Sequence, residues 1–340
     1  MHLKLQPAEA RWVEFRLADT QWRSAAATQR ADNTKLEQAR QALEKMVRDV
    51  AREEEKDRAW VEVQESLGDY WWTRRNQQNW GMAWQYYQPA LDWWAGARDL
   101  ELARARYLKI VFRVARPPQV ERSYYYGYYG NVLPLPILEN ALKIARTPDE
   151  QAHLHYLVAM TVRNQGGSVE QRQRVPEEFE AAVKAGRKTD WYDDALYNYG
   201  EWMASQGRFV PMENGGYRQE PDYVKALELF RRLVKEFIKG ETRYFDQAQN
   251  QIKNITQAIV GAQVSNIFLP DSEIQYSLHW RNVPRLELAL YPVNLAADVR
   301  LDDASERRRD WLNSIDLAGR EKVKSWTHET KDKGDHKPGS

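Results

Sequence analysis

The spacing of apolar residues changes once along this chain, near residue 264, and that change limits what each part can fold into. Upstream, apolar residues recur three and four apart, as in Leu36, Ala39, Leu43, Met46 and Val50, the period of one helix face. From Val264 to Leu295 the period becomes two. Ile274, Tyr276, Leu278 and Trp280 alternate with Gln275, Ser277, His279 and Arg281, which puts the first set on one face of a β-strand. Asn282-Val283-Pro284 breaks the run, and Leu286, Leu288 and Leu290 restart it. The two runs are therefore expected to pair with each other, antiparallel, across a short connection.

Composition narrows the function classes. Lys and Arg number 50 against 49 Asp and Glu, a net charge of +1, which argues against nucleic acid as the main partner. There is no cysteine, so disulfides, thiolate metal sites and cysteine nucleophiles are excluded together. No apolar run approaches the ~18 residues of a membrane span, and the opening MHLKLQPAEARWVEF has no apolar core of signal-peptide length. The 14 Trp and 18 Tyr are expected to fill the space between helices, where large rings bury much area.

The helical part reads as a series of short amphipathic segments. Trp12, Phe15 and Trp22 mark the first, Ala8 to Ala26; the next is expected to start at a Thr34/Glu37 capping box. Arg52 to Arg58, rich in charge, reads as a solvated helix face or end. Leu67-Gly68 followed by Ala83, Tyr87 and Ala90 has the spacing of a tetratricopeptide repeat, in which small residues let two helices approach and a ring fills the gap. The set returns as Tyr199-Gly200 and Gly207, then Ala226, Phe230 and Leu233, with the stretch Pro211 to Asp222 inserted. Pro89 inside the first match marks the repeats as degenerate. Between them lie helix candidates at 99–115, 137–146, 150–164 and 176–185; Pro117-Pro118 ends the first of these, and Thr147-Pro148-Asp149-Glu150 has the look of a helix start. A last helix follows Gly240 and carries Phe245, Ala248, Ile252 and Ile255 on one face. The expected class is mainly α, an α–α solenoid of degenerate tetratricopeptide-like helix pairs followed by a short, incomplete antiparallel β-sandwich segment.

One segment breaks the rhythm. Tyr124, Tyr125, Tyr126, Tyr128, Tyr129 and Asn131, interleaved with Gly127 and Gly130 and followed by Pro134 and Pro136, read as an irregular loop. It is the candidate interaction surface for a peptide or glycan, the other reading being a plug between repeats.

Catalytic and metal signatures are missing. There is no HExxH pair, no phosphate-binding GxxxxGK[ST] and no GxSxG elbow. His153 and His155, two apart on a helix, diverge by about 200° and cannot share a metal. His279 falls on the polar face of its strand. The reading is non-catalytic, with no cofactor and no metal, and with a protein or peptide as partner. An enzyme acting on glycans would need two acids facing each other beside Tyr124 to Tyr129.

The strand motif carries a family resemblance. Leu269-Pro270-Asp271-Ser272-Glu273, the corner Arg281-Asn282-Val283, and the run Leu290-Tyr291-Pro292-Val293-Asn294-Leu295 resemble the opening strands of a macroglobulin domain in bacterial α2-macroglobulin-like proteins. Pro292 and Asn294 replace the Arg and Asp common there. The upstream helices also resemble the N-terminal helical region of the larger members. The resemblance implies an exported protein of the periplasm or cell envelope, in the endopeptidase-inhibitor class, whose protease trapping is carried by other domains. No Cys-Gly-Glu-Gln thioester exists here. A macroglobulin sandwich needs about seven strands and ~100 residues. After Leu301 the sequence offers one short helix at 305–313, one strand at 321–327 and a polar tail, so the β domain is expected to be cut short and the chain to be a fragment. The expected organisation is a helical repeat region at 1–261, an incomplete macroglobulin-like β domain at 262–330 and a disordered tail at 331–340. A tetratricopeptide-type peptide-binding adaptor is the alternative function.

Overall fold

The structure, a computed structural model, describes residues 6–27, 32–74, 77–115, 133–213, 215–264, 273–294 and 315–340. It is mainly helical, with a few short antiparallel strand pairs. The chain divides into two compact units, Met1–Asn198 and Tyr199–Ser340. The sequence reading put its boundary at 261/262, where the apolar period changes; the units divide upstream of that, so the last helices group with the strands.

In the first unit the helices are α1 (Pro7–Ala27), α2 (Asn33–Arg48), α3 (Arg58–Trp72), α4 (Trp80–Ala95), α5 (Leu100–Ala115), α6 (Leu135–Ile144), α7 (Pro148–Gln165), the short α8 (Val169–Gln173) and α9 (Val175–Lys184), with α10 (Tyr192–Ser205) running on from this unit into the next. From α1 to α7 consecutive helices pack on one another, α9 packs mainly on α7 across the short α8, and α1 also meets α3. The core at the start is built from Phe15, Ala18 and Trp22 on α1, Leu36, Ala39 and Leu43 on α2, and Val63, Leu67 and Tyr70 on α3, the i, i+3, i+4 stripes of each.

One helix start, that of α2, differs from its sequence signal, and that of α7 falls where its signal put it. The Asp32 side chain, not Thr34, caps α2 by accepting from the Lys35 N–H at 3.1 Å, and Glu37, set inside the helix, pairs with Arg40 instead. The full capping box is at α7, where Thr147 accepts from the Glu150 N–H at 3.1 Å and Glu150 reaches back to the Thr147 N–H at 3.1 Å. The charged stretch at 52–58 holds a 3-10 turn, Glu53–Glu55, before α3 starts at Arg58, and Glu53 and Glu54 are exposed.

The two repeat-like matches share one detail. A Cβ added at Gly68 would lie 2.5 Å from the Tyr87 ring, and one added at Gly200 would lie 2.6 Å from the Phe230 ring. In both places the glycine lets a ring from the following helix rest on backbone.

In the second unit are α11 (Tyr223–Glu236), α12 (Phe245–Thr256) and the strands β1 (Arg208–Pro211), β2 (Tyr217–Glu220), β3 (Ile259–Gln263), β4 (Ser277–Arg281), β5 (Arg285–Leu290) and β6 (Lys324–Glu329). The stretch inserted within the second match folds partly as the β1–β2 hairpin, with Arg208 opposite Glu220.

The expected pairing of the two alternating runs is not formed. β4 pairs with β3, Trp280 opposite Val260, and β5 pairs with β6, Leu288 opposite Trp326. Asn282 is the cause: its φ of 57° turns the chain out of the plane of β4. Its side chain donates to the carbonyls of Ile255 at 2.7 Å and Gln257 at 2.9 Å. The Thr330 N–H then donates to the Pro284 carbonyl at 3.1 Å, committing the next strand to β6. Aromatic contacts join the two pairs: Tyr276 and Trp326 have ring centroids 6.2 Å apart, Trp280 and His328 5.2 Å.

Residues 331–340, read from sequence as a disordered tail, make defined contacts. Trp280 and Gly339 exchange both backbone hydrogen bonds, at 3.0 and 2.8 Å, and Lys337 pairs with Glu220 at 3.1 Å. The expected helix at 305–313 and the turn at Leu269 to Ser272 lie outside the described residues.

Candidate functional site

The tyrosine-rich candidate surface, Tyr124, Tyr125, Tyr126, Tyr128, Tyr129 and Asn131, lies outside the described residues. The most unusual chemistry among the described residues is on α3. Its polar residues Glu62, Glu65 and Asp69 stand at i, i+3 and i+7, which places three carboxylates on one stripe of a helix. All are buried, at 3%, 4% and 1% exposure. Buried carboxylates this close must be paired or protonated.

Both solutions occur. Asp69 accepts from the Arg23 guanidinium at 2.8 Å and the Tyr87 hydroxyl at 2.7 Å, and Arg113 also pairs with it. Glu62 pairs with Arg58 at 3.0 Å and Arg106 at 3.2 Å. Glu65 accepts from Arg106 Nε at 3.0 Å and from the Trp94 indole N–H at 2.7 Å. Burial nevertheless outweighs Arg106 and pushes the Glu65 carboxyl up to about 7. For Arg23, burial alone would lower the guanidinium; Asp69 and Asp19 more than offset that and hold it above its usual value. Ser66 extends the network to α1, donating to Asp19 at 2.6 Å and accepting from the Trp22 indole at 2.9 Å.

The partners on α5 repeat the spacing: Arg106, Lys109 and Arg113 also stand at i, i+3 and i+7. Two complementary rows thus face each other, acids on α3 and bases on α5. Glu65 is a carboxyl poised near neutrality, but at 4% exposure beneath Arg106 and Trp94 it offers no surface to a substrate. What reaches solvent is the outer edge of the cations. Side chains of Arg16, Arg58 and Arg23 are 62%, 54% and 42% exposed, and Lys109 is exposed.

Two other places hold polar clusters. His155 Nδ1 lies 2.7 Å from Glu178, which Arg174 also pairs at 3.0 Å while bonding Glu139 at 3.0 Å. Burial would raise Glu178, but His155 and Arg174 hold it below the usual carboxylate range. His153 points elsewhere, its ring stacked between Phe112 at 4.6 Å and Trp191 at 3.7 Å, so the two histidines diverge as their spacing requires. Among the described residues no three metal-ligating side chains converge. A cavity of about 550 Å³ opens between α4, α5 and α6, lined by Trp94, Leu100, Tyr107, Asn140 and Lys143 among others. Its arginines are committed: Arg104 to the Ile144 carbonyl and Glu150, Arg146 to Glu101.

The rows on α3 and α5 were not among the sequence candidates. Acids and bases at i, i+3, i+7 within otherwise apolar helices are the signal that would have found them. No family model, curated protein or solved structure matches this sequence.

Proposed function

We propose that this chain is a non-catalytic interaction scaffold, made of tetratricopeptide-like helix pairs stacked as a solenoid and leading into macroglobulin-like strands. In this reading it corresponds to the N-terminal region of a bacterial α2-macroglobulin-like protein of the periplasm or cell envelope, in which protease trapping belongs to other domains.

The observation that carries the scaffold reading is the recurrence of one packing detail. Gly68 beneath Tyr87 and Gly200 beneath Phe230 are the small-residue and ring positions of the repeat signature. Packing of consecutive helices from α1 to α7, and of α11 on α12, is what a repeat array requires. The macroglobulin reading is supported by the division of β4 and β5 between two strand pairs that face each other through Tyr276 and Trp326. Ile259 and Val260 on β3, and Ile274 and Val323 just ahead of β4 and β6, at 45%, 56%, 57% and 64% exposure, are apolar surface of the kind a completed sandwich buries.

The test is to mix the purified chain in excess with serine and metalloproteases and follow cleavage of a protein substrate. Undiminished cleavage is expected. Stoichiometric inhibition by this chain alone would overturn the division of labour. The second reading, a peptide-binding adaptor, is favoured by the cationic face over α3.

A further inference from the structure

We infer that the face formed by α1, α3 and α5 binds an acidic peptide segment in extended form, with Arg16, Arg58, Lys109 and Arg113 as its contacts. The inference rests on the scaffold reading and supplies the chemistry of its partner.

The face carries more cations than its own carboxylates require. Arg16, Arg23, Arg58, Arg106, Lys109 and Arg113 stand over Asp19, Glu62, Glu65 and Asp69. The carboxylates of α3 lie at the bottom of the layer and the cations lie above them. The surplus is therefore presented to solvent rather than cancelled in it.

Lys109 is the residue that structure alone does not explain. It sits one turn from Arg106 and one turn from Arg113 on the same helix, an unfavourable like-charge arrangement. Among the described residues no carboxylate lies within ion-pair distance of it. Partial burial, then Arg113 and Arg106, pull its ammonium below the usual lysine value. An anion arriving from outside relieves that repulsion. At the other end of the row, Arg16 is only 4.0 Å from Glu62 and mostly exposed. The Arg16 and Arg58 guanidiniums both lie over the Trp12 ring, at 5.5 and 5.6 Å, which holds two cations side by side before any ligand arrives.

Length selects a peptide. Lys109 and Arg113 are one turn apart, roughly 6 Å along the helix. Alternate side chains of an extended peptide are about 7 Å apart, so two acids at i and i+2 can meet the Lys109 ammonium and the Arg113 guanidinium together. A nucleic acid instead needs a basic track many phosphates long. Here the row is short, Asp19 lies beside Arg23 on the same face, and the whole chain has a net charge of only +1.

The experiment is fluorescence anisotropy of the full chain with a labelled dodecapeptide of alternating Glu and Ser. The Gln/Ser peptide and a single-stranded oligonucleotide of equal charge serve as comparisons. The Glu/Ser peptide is expected to bind, to weaken steeply on going to about 0.3 M salt, and to lose about tenfold in affinity in each of Lys109→Glu and Arg16→Glu. Neither side chain anchors a buried carboxylate closely, and circular dichroism checks that both variants keep the helical signal. Equal binding of the Gln/Ser peptide, unchanged affinity in both folded variants, or tighter binding of the oligonucleotide would each overturn the inference. Those results leave the scaffold reading standing if proteases remain uninhibited, whereas inhibition overturns that reading whatever the peptide does.

Discussion

Gly68 lies directly beneath the ring of Tyr87: a Cβ at position 68 would fall 2.5 Å from both Cδ1 and Cε1. The ring cannot retreat, because Tyr87 is fully buried and its hydroxyl is fixed on Asp69 at 2.7 Å. Gly68→Ala is therefore expected to destabilise the first unit by about 1–3 kcal/mol, the usual cost of overpacking. Trimming the ring, in Gly68→Ala with Tyr87→Leu, should cost less than the sum of the two single changes. Urea unfolding of the four proteins measures this, and strict additivity would separate the two residues. Gly200→Ala, under Phe230, should behave like Gly68→Ala.

Asp69 joins three elements, accepting from Arg23, Arg113 and Tyr87 while only 1% exposed. Asp69→Asn takes the buried counter-charge from Arg113 and leaves Arg23 with Asp19 alone. A loss of about 3–5 kcal/mol is expected, as for other broken buried pairs. Thermal unfolding reads it directly. A change as small as that of an exposed pair such as Lys45–Asp49 would mean that the network adds nothing beyond burial.

How far the sequence could be read depended on the distance between partners. Gly68 and Tyr87 belong to adjacent helices, so a spacing rule captures them. Apart from Arg58, four residues before Glu62, the acids of α3 take their cations from Arg23 and from Arg106 and Arg113, some forty residues away on either side, where no local pattern links them. The strands repeat the lesson. Alternation gave the faces of β4 and β5 but not their partners, which are β3 and β6 rather than each other. At the start of α2 two local signals competed, and Asp32 won over Thr34 because its carboxylate reaches the Lys35 N–H. The tyrosine-rich candidate surface has no structural counterpart among the described residues.

Glu65 makes stability depend on pH near neutrality. Its carboxyl is raised from 4.5 to about 7, chiefly by burial. Folding therefore favours its protonated form, and the benefit is complete below the unfolded value, then lost as pH rises through 7. The groups facing it are Arg106 and Lys109 from α5, Trp94 from α4, and Glu62 and Asp69 on its own helix. Glu65→Gln removes this titration. Between pH 5 and 8 the stability of the original protein should fall by about 2 kcal/mol relative to that of the Glu65→Gln variant. Melting temperatures at both pH values check it, and parallel profiles would mean that Arg106 keeps Glu65 ionised throughout.

Asn282 decides where the strands go. It holds a left-handed φ of 57°, donates to the Ile255 and Gln257 carbonyls, and lies 2.6 Å from His336 Nδ1 through its own Oδ1. Two separate contributions are at stake, the backbone turn and the side-chain bonds, and two substitutions separate them. Asn282→Gly keeps the turn without strain but loses the bonds; Asn282→Ala loses the bonds and also costs about 1 kcal/mol for a Cβ in the left-handed region. Amide hydrogen exchange across β4 and β5 is expected to accelerate in both, with the Ala variant about fivefold faster than the Gly variant. Equal rates in the two variants would assign the corner to its hydrogen bonds alone. Faster exchange in the Gly variant would mean that asparagine serves mainly to restrict the unfolded chain at this position.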